Sequence, residues 1–194
     1  FNEDKKFISR LSRYYIASKE NSAGRISNRN KKFLEKFNKK KRYKAEFKIN
    51  YKNGVKCDYK AEVRLHGDNI DHVEIINGTP VSSLRVKLKE GNINNITRFI
   101  LFRPISRNFD NEIFATTFMN HVGFLSPRTF KVKTNISNQN VVYLFQESLK
   151  KELLEFNKKI EGPILESKED KFNHLKMSRL SNKEWMKKNK NRYI

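Results

Sequence analysis

The residues best suited to metal chemistry in this sequence lie in one short stretch, where His66 and His72 flank Asp68 and Asp71. A metal site needs ligands that converge on one point, and the four histidines of the chain show no recognised metal-ligand spacing. We therefore interpret this stretch as a solvated polar loop and predict no metal-binding residue. The sequence also lacks the P-loop, HExxH and GxSxG patterns of common nucleotide, zinc and hydrolase sites.

The single cysteine, Cys57, excludes both an intrachain disulfide and a cysteine-based zinc site. It falls at an apolar position of an alternating pattern, so we interpret it as a packed side chain and not as a nucleophile. Glu152 and Glu155 lie in a helix-like context and are interpreted as helix-surface charges. No catalytic residue is therefore assigned from local patterns alone.

The chain of 194 residues carries a formal net charge of +21. This charge predicts an anionic partner, such as nucleic acid, nucleotide, acidic polysaccharide or a membrane surface. An alternative origin is compositional, because Lys, Asn, Ile and Phe are abundant and share AT-rich codons. Lys outnumbers Arg by 29 to 13, whereas bidentate phosphate recognition favours Arg. We expect non-specific attraction to polyanions in either case.

The sequence contains no run of eighteen apolar residues, so no segment is predicted to span a membrane. We interpret the start at Phe1 and the end at Ile194 as cuts in a longer chain. A signal peptide or anchor upstream would then lie outside the sequence, and the compartment is left open.

The elements that must position any site form an α+β pattern with an antiparallel sheet and one packed helix. Strict alternation predicts a long hairpin over 43–51 and 55–65, with a tight turn at Asn53-Gly54. Residues 67–80 are predicted to form a loop. The further predicted strands are 84–88, 98–102, 129–134 and 141–147, and the predicted helices are 5–20, a short one within 31–44, 110–122 and 148–158. Residues 21–32 are predicted to be loop.

These elements suggest three regions. Residues 1–42 form a basic helical segment, 43–155 form the sheet with its helix, and 156–194 form a linker with the start of a truncated second part. Phe114, Phe118 and Val122 stand at four-residue spacing and predict the apolar stripe of the packed helix.

Several short segments follow one another in an order that is informative as a whole. A strand ends in a glycine turn, a serine pair precedes a basic strand, a helix runs up to a glycine and a Pro-Arg pair, and a hairpin ends in glutamate. The segments are 63–69 (VRLHGDN), 82–88 (SSLRVKL), 99–104 (FILFRP), 122–129 (VGFLSPRT) and 143–147 (YLFQE). In order and spacing, over residues 43–155, the sequence resembles the CotH kinase family, atypical kinases first associated with spore coats.

The resemblance implies the N-terminal lobe of a kinase-like fold, with ATP and Mg as cofactors and a protein or cell-surface component as phosphoryl acceptor. Phosphoryl transfer needs positive charge near the phosphates and a carboxylate that fixes it. The resemblance implies a nucleotide site formed by Arg64, Gly67, Arg85, Lys87, Glu112 and Glu147.

Within that implied site, Arg85 or Lys87 would contact the phosphates, and Glu112 would pair with one of them. Gly67 would let backbone amides approach a phosphate. Residues 145–147 would form the linker whose backbone meets the adenine.

The sequence departs from the family pattern at several points. His66 replaces the second arginine of the glycine turn, Asn111 replaces an arginine at the start of the helix, and residues 138–141 lack the usual glycine. The aspartates that would hold magnesium follow the linker in the family, but Asp170 is the only aspartate of 156–194. We therefore expect weak ATP binding, if any, and no kinase turnover from this chain.

Two alternatives remain open. The chain could be a non-catalytic binding module of the same fold for an anionic polymer or partner. A non-specific nucleic-acid binder that uses the basic, aromatic stretch 31–60 is the third interpretation, but the aromatic residues there mostly fall on the face predicted to be buried.

Overall fold

A six-stranded antiparallel sheet forms the centre of the α+β fold. The structure is a computed structural model that describes residues 2–37, 41–67, 72–136, 139–168 and 177–180. The helices are α1 (Asn2–Ser22), α2 (Asn28–Lys36), α3 (Asn111–His121) and α4 (Lys151–Phe156). The strands are β1 (Tyr43–Asn50), β2 (Lys56–Leu65), β3 (Val73–Ile76), β4 (Thr79–Ser82), β5 (Leu84–Leu88), β6 (Arg98–Phe102), β7 (Thr129–Ile136), β8 (Gln139–Glu147), β9 (Leu165–Lys168) and β10 (Met177–Leu180).

The strand order of the large sheet is β1-β2-β5-β6-β8-β7, and all of its pairings are antiparallel. The pairs β3–β4 and β9–β10 form two small sheets of their own. Short connections and local pairing agree with the predicted α+β class, and α3 is the helix that packs on the second face of the large sheet.

The first hairpin confirms the prediction from alternation, with Tyr43 opposite Val63 and Asn50 opposite Lys56. The hairpin turns at Asn53-Gly54 as predicted, and each strand is one residue shorter than predicted at the turn, since β1 ends at Asn50 and β2 begins at Lys56. The Tyr51 N–H donates to the Val55 carbonyl over 2.8 Å, and Gly54 adopts a φ of +84°.

One face of the large sheet forms the main core, and we call it the apolar face. Val86, Phe99 and Tyr143 are fully buried there, and the Phe99 and Phe145 rings stack at 4.4 Å. Leu11 and Tyr14 of α1 belong to the same cluster. Each such side chain contributes on the order of 1.5–3 kcal/mol by leaving water, so this face anchors α1 to the sheet.

The prediction of a loop over 67–80 is wrong, because β3 and β4 pair within it. Asn77 and Gly78 connect these strands, with φ values of +47° and +76°. Positive φ at both central residues is the geometry of the tight hairpin turn that Asn-Gly favours. The Asn-Gly pair at 77–78 therefore signals a second hairpin turn, in addition to the one at Asn53-Gly54.

The predicted loop over 21–32 is also partly wrong, since α2 begins at Asn28. The Ser27 hydroxyl caps this helix by accepting the Asn30 N–H over 3.3 Å, and serine is a favoured residue at that position. In the region predicted to be a linker, β9 and β10 pair. Asp170 lies outside the described residues.

The helix predicted over 110–122 is confirmed as α3, and Gly123 follows it with a φ of +89°. The apolar stripe does not face the sheet, however. Ile113 packs against Ile100, Phe102 and Leu144, while Phe114 and Phe118 point away from the sheet and are exposed.

Candidate anion-binding face

The second face of the large sheet carries four cationic side chains from β2, β5 and β6, namely Arg64, Arg85, Lys87 and Arg98. We call it the basic face. Strand register places Arg64 directly opposite Arg85, and Lys87 directly opposite Arg98. Like charges directly opposite each other destabilise an antiparallel pair. Two such pairs side by side concentrate positive charge on a small area, which favours the binding of an anion.

The nearest carboxylate of the sheet does not neutralise this face. Glu62 lies opposite Lys87 in the ladder, but its carboxylate oxygens accept hydrogen bonds from Lys89 and Arg42. Lys89 and then Arg42 hold the pKa of Glu62 at about 2. Within the described residues, Lys87 makes no ion pair, so its ammonium is open to an added anion.

A fourth arginine extends the basic face toward the end of β2. Arg107 follows Pro104 in a single turn of 3₁₀ helix, and its guanidinium carbon lies 4.1 Å from the centre of the Phe102 ring. His66 meets the same ring edge-on at 5.0 Å. Sequence reasoning missed Arg107, since no periodic pattern indicates a contact made through a 3₁₀ turn.

Burial, followed by the charge of Arg85, lowers the pKa of His66 to about 3. The charges of His72, Arg107 and Arg64 act in the same direction. The lowered pKa keeps His66 neutral at physiological pH, with burial as the main cause and the neighbouring positive charges as the lesser one. The neighbouring residues 68 and 71, which completed the possible metal-binding stretch, lie outside the described residues.

Gly67 has a packing reason for being glycine. Its φ is +94°, and a β-carbon there would lie 1.9 Å from Cδ2 of the His72 ring. The His72 Nδ1 is in turn 3.1 Å from the Ser83 hydroxyl. Any larger residue would displace this ring, so packing alone accounts for Gly67. Its contact with a phosphate stays a prediction.

Glu112 lies on the same side of the sheet as the basic face but contacts a different partner. Its Oε1 accepts a hydrogen bond of 2.6 Å from the side-chain amide of Gln146. Gln146 pairs with Ile100, and Ile100 pairs with Arg85. Two strand spacings of about 4.8 Å each therefore separate Gln146 from Arg85. No ion pair joins Glu112 to Arg85 or Lys87 among the salt bridges of the described residues.

Glu147 lies on the apolar face, away from the other predicted site residues. Its carboxylate is buried and accepts two hydrogen bonds from Arg128, of 2.8 Å from Nε and 2.9 Å from Nη2. Arg128 also donates to the Asn94 carbonyl over 2.7 Å and stacks on Phe156 of α4 at 3.9 Å. This arrangement ties the end of β8 to the α4 helix and the neighbouring turn.

The predicted linker, residues 145–147, is still part of the sheet. The Glu147 N–H donates to the Arg128 carbonyl, and the Ser148 N–H donates to the Arg98 carbonyl, both over 3.0 Å. These backbone N–H groups are hydrogen-bonded to neighbouring strands, and β8 ends at Glu147.

The described part of the chain contains no group of three or more His, Cys, Asp or Glu side chains placed to hold a metal ion. No helix within those residues is long and apolar enough to cross a membrane. A comparison of the chain with family models gave no match, and a comparison with curated proteins gave none either.

Proposed function

We propose that the chain is the front lobe of a CotH-like kinase domain and that its basic face binds the phosphates of ATP. The observation that carries the proposal is that two cross-strand pairs consist of cations, Arg64 opposite Arg85 and Lys87 opposite Arg98. The location agrees with the resemblance, because these residues lie on the sheet face that also bears α3.

The physical reason is that neighbouring strands hold several cationic side chains close together, so that one anion can contact more than one of them. Cations held close together by a sheet need no reorganisation when a triphosphate arrives, and preorganised positive charge is the main contribution of a protein to phosphoryl transfer. Arg64 and Arg85 offer planar groups for bidentate contacts with phosphate oxygens, and Lys87 offers a point charge.

ATP would supply the phosphoryl group, and a protein or cell-surface component would accept it. The donor set of the basic face fits phosphates. It does not fit magnesium, which needs hard oxygen ligands around it. The carboxylate of Glu62 is already bonded to Lys89 and Arg42, and that of Glu112 is bonded to Gln146. No step through magnesium is therefore derived, and we expect the chain on its own to bind ATP weakly without turnover.

One observation favours a second candidate, a binding module of the same fold that holds an anionic polymer or partner. In the kinase arrangement, a carboxylate fixes the phosphate-binding cation, whereas Glu112 accepts its bond from Gln146. A module that only holds an anion has no need of that ion pair.

Calorimetric titration with ATP and with inorganic polyphosphate distinguishes the two candidates. We expect ATP to bind, and both Arg85→Gln and Lys87→Gln to weaken it roughly tenfold or more, as expected for a charge-assisted phosphate contact. Lys48→Gln is the matched control, since Lys48 is an exposed lysine of the edge strand β1.

Binding of polyphosphate with no binding of ATP would support the module and contradict the kinase lobe. An equal loss of ATP affinity in Lys48→Gln would show that diffuse charge, and not the basic face, holds the nucleotide. A phosphate-transfer assay of this chain beside a longer natural chain tests catalysis separately, and turnover by the 194 residues alone would contradict the proposal.

A further inference from the structure

The α3 helix and the residues that follow it present apolar side chains to solvent over a continuous stretch. We call Phe114, Phe118, Met119, Val122, Phe124 and Leu125 the α3 patch. Phe114 is 72% exposed, Phe118 51% and Phe124 61%. The rings of Phe114 and Phe118 stack at 6.1 Å with an angle of 12° between their planes, so the patch contains an ordered aromatic ridge.

The helix is apolar on both sides, which is typical of a helix between two layers. Ile113 contacts the sheet below, and the α3 patch forms the upper side. Exposed apolar residues occur singly on any protein, but a continuous patch of this kind marks an interaction surface.

The charges around the patch favour a protein partner over an anionic membrane. Residues 108–127 contain no lysine or arginine, although the whole chain has 42 in 194 residues. Peripheral membrane binding combines apolar side chains with lysine and arginine around them, whereas protein interfaces are depleted of lysine at their centre. The two acidic groups of this stretch are already bonded, Asp110 to Lys131 and Glu112 to Gln146.

The three exposed phenylalanines alone supply a little under half of the area that one partner of a standard interface buries. At roughly 200 Å² for a whole aromatic side chain, the three phenylalanines expose roughly 370 Å², before the other three side chains are added. The largest patch of a typical monomer is about 300–600 Å², and a standard interface buries about 800 Å² on each partner.

We propose that the α3 patch binds the same patch of a second copy of this chain, across a two-fold axis. An isologous contact brings two stretches without lysine or arginine together, so the strongest like-charge contacts of a +21 chain are avoided. The proposal is independent of the kinase interpretation. It also implies that salt strengthens the dimer, because salt screens the repulsion between two basic chains and leaves apolar burial intact.

Sedimentation equilibrium from micromolar to submillimolar concentration, at low and at high salt, tests the proposal. We expect a monomer–dimer equilibrium that shifts toward the dimer at high salt. Phe118→Asp should weaken dimerisation roughly 30-fold or more, as for a central aromatic of an interface. Ile160→Asp is the matched control, because Ile160 is 94% exposed and lies outside the patch, and it should leave the equilibrium unchanged.

Thermal unfolding checks that the Phe118→Asp chain still folds, and Phe124→Asp, placed after the helix, serves as a second variant if it does not. A wild-type chain that stays monomeric at every concentration would overturn the proposal. So would a dimer that survives both substitutions or that dissociates at high salt. Flotation with phosphatidylserine–phosphatidylcholine vesicles adds a further test, since a monomer that binds them through Phe118 would assign the patch to a membrane instead.

Discussion

Replacing Arg128 with methionine tests the buried ion pair that joins β8 to α4. The Glu147 side chain is 1% exposed and the Arg128 side chain 19%. Methionine keeps much of the length and apolar contact of arginine but donates no hydrogen bond, so the substitution leaves a buried carboxylate without its two donors. The variant also lacks the hydrogen bond that Arg128 donates to the Asn94 carbonyl and the contact of its guanidinium with Phe156.

Removing one partner of a buried pair costs about 3–5 kcal/mol. Because Arg128 is partly exposed, water can reach Glu147 in the variant, and we expect the lower end, about 3 kcal/mol. For a domain of this size, each kcal/mol lowers Tm by about 2–4 °C. The expected decrease in Tm is therefore roughly 6–12 °C.

Urea unfolding followed by circular dichroism measures this free energy. Lys151→Met is the matched control, because it breaks the exposed Lys151–Glu155 pair and should cost less than about 0.5 kcal/mol. The double variant Arg128→Met, Glu147→Leu should recover most of the loss, since it leaves no buried charge. The reasoning would be refuted if Arg128→Met cost no more than Lys151→Met.

Three further outcomes follow from the same structure. The pKa of His66 is about 3 in the folded chain against 6.5 as a free side chain, so the unfolded state binds more protons at mildly acidic pH and stability falls as pH decreases from about 6.5. Unfolding midpoints between pH 7 and 5 should therefore fall less in His66→Gln than in wild type. Gly67→Ala should cost about 2 kcal/mol or more by thermal unfolding, because its β-carbon meets the His72 ring, against about 1 kcal/mol for Gly54→Ala in open space. Binding to DNA should be weak, blind to sequence and steeply reduced by salt, and footprinting that found one preferred sequence at physiological salt would contradict this.

Period-two alternation predicted the parts of the fold that depend on it. The β1–β2 hairpin and the placement of Arg85 and Lys87 on one face both follow from apolar residues at every second position. The same parity places Glu147 on the side of Phe145 and Tyr143, which is the apolar face. The position of Glu147 on the apolar face therefore follows from the sequence.

Other features depend on contacts that no local pattern encodes. Four-residue spacing of Phe114, Phe118 and Val122 predicts a helix, but it does not say which side meets the sheet, and Ile113 takes that place. The bond between Gln146 and Glu112 joins residues 34 positions apart. Arg107 reaches Phe102 only because a 3₁₀ turn reverses the chain.

The most direct test of the central claim is an amide NMR titration of the chain with ATP. If the basic face binds the phosphates, shift changes will concentrate on Arg85, Lys87 and the end of β2 near Arg64. The amides around Lys48 and in α2 will stay unchanged, and adenosine without phosphates will produce none of these changes. Shift changes spread evenly over the exposed lysines, or no change with ATP, would contradict the account.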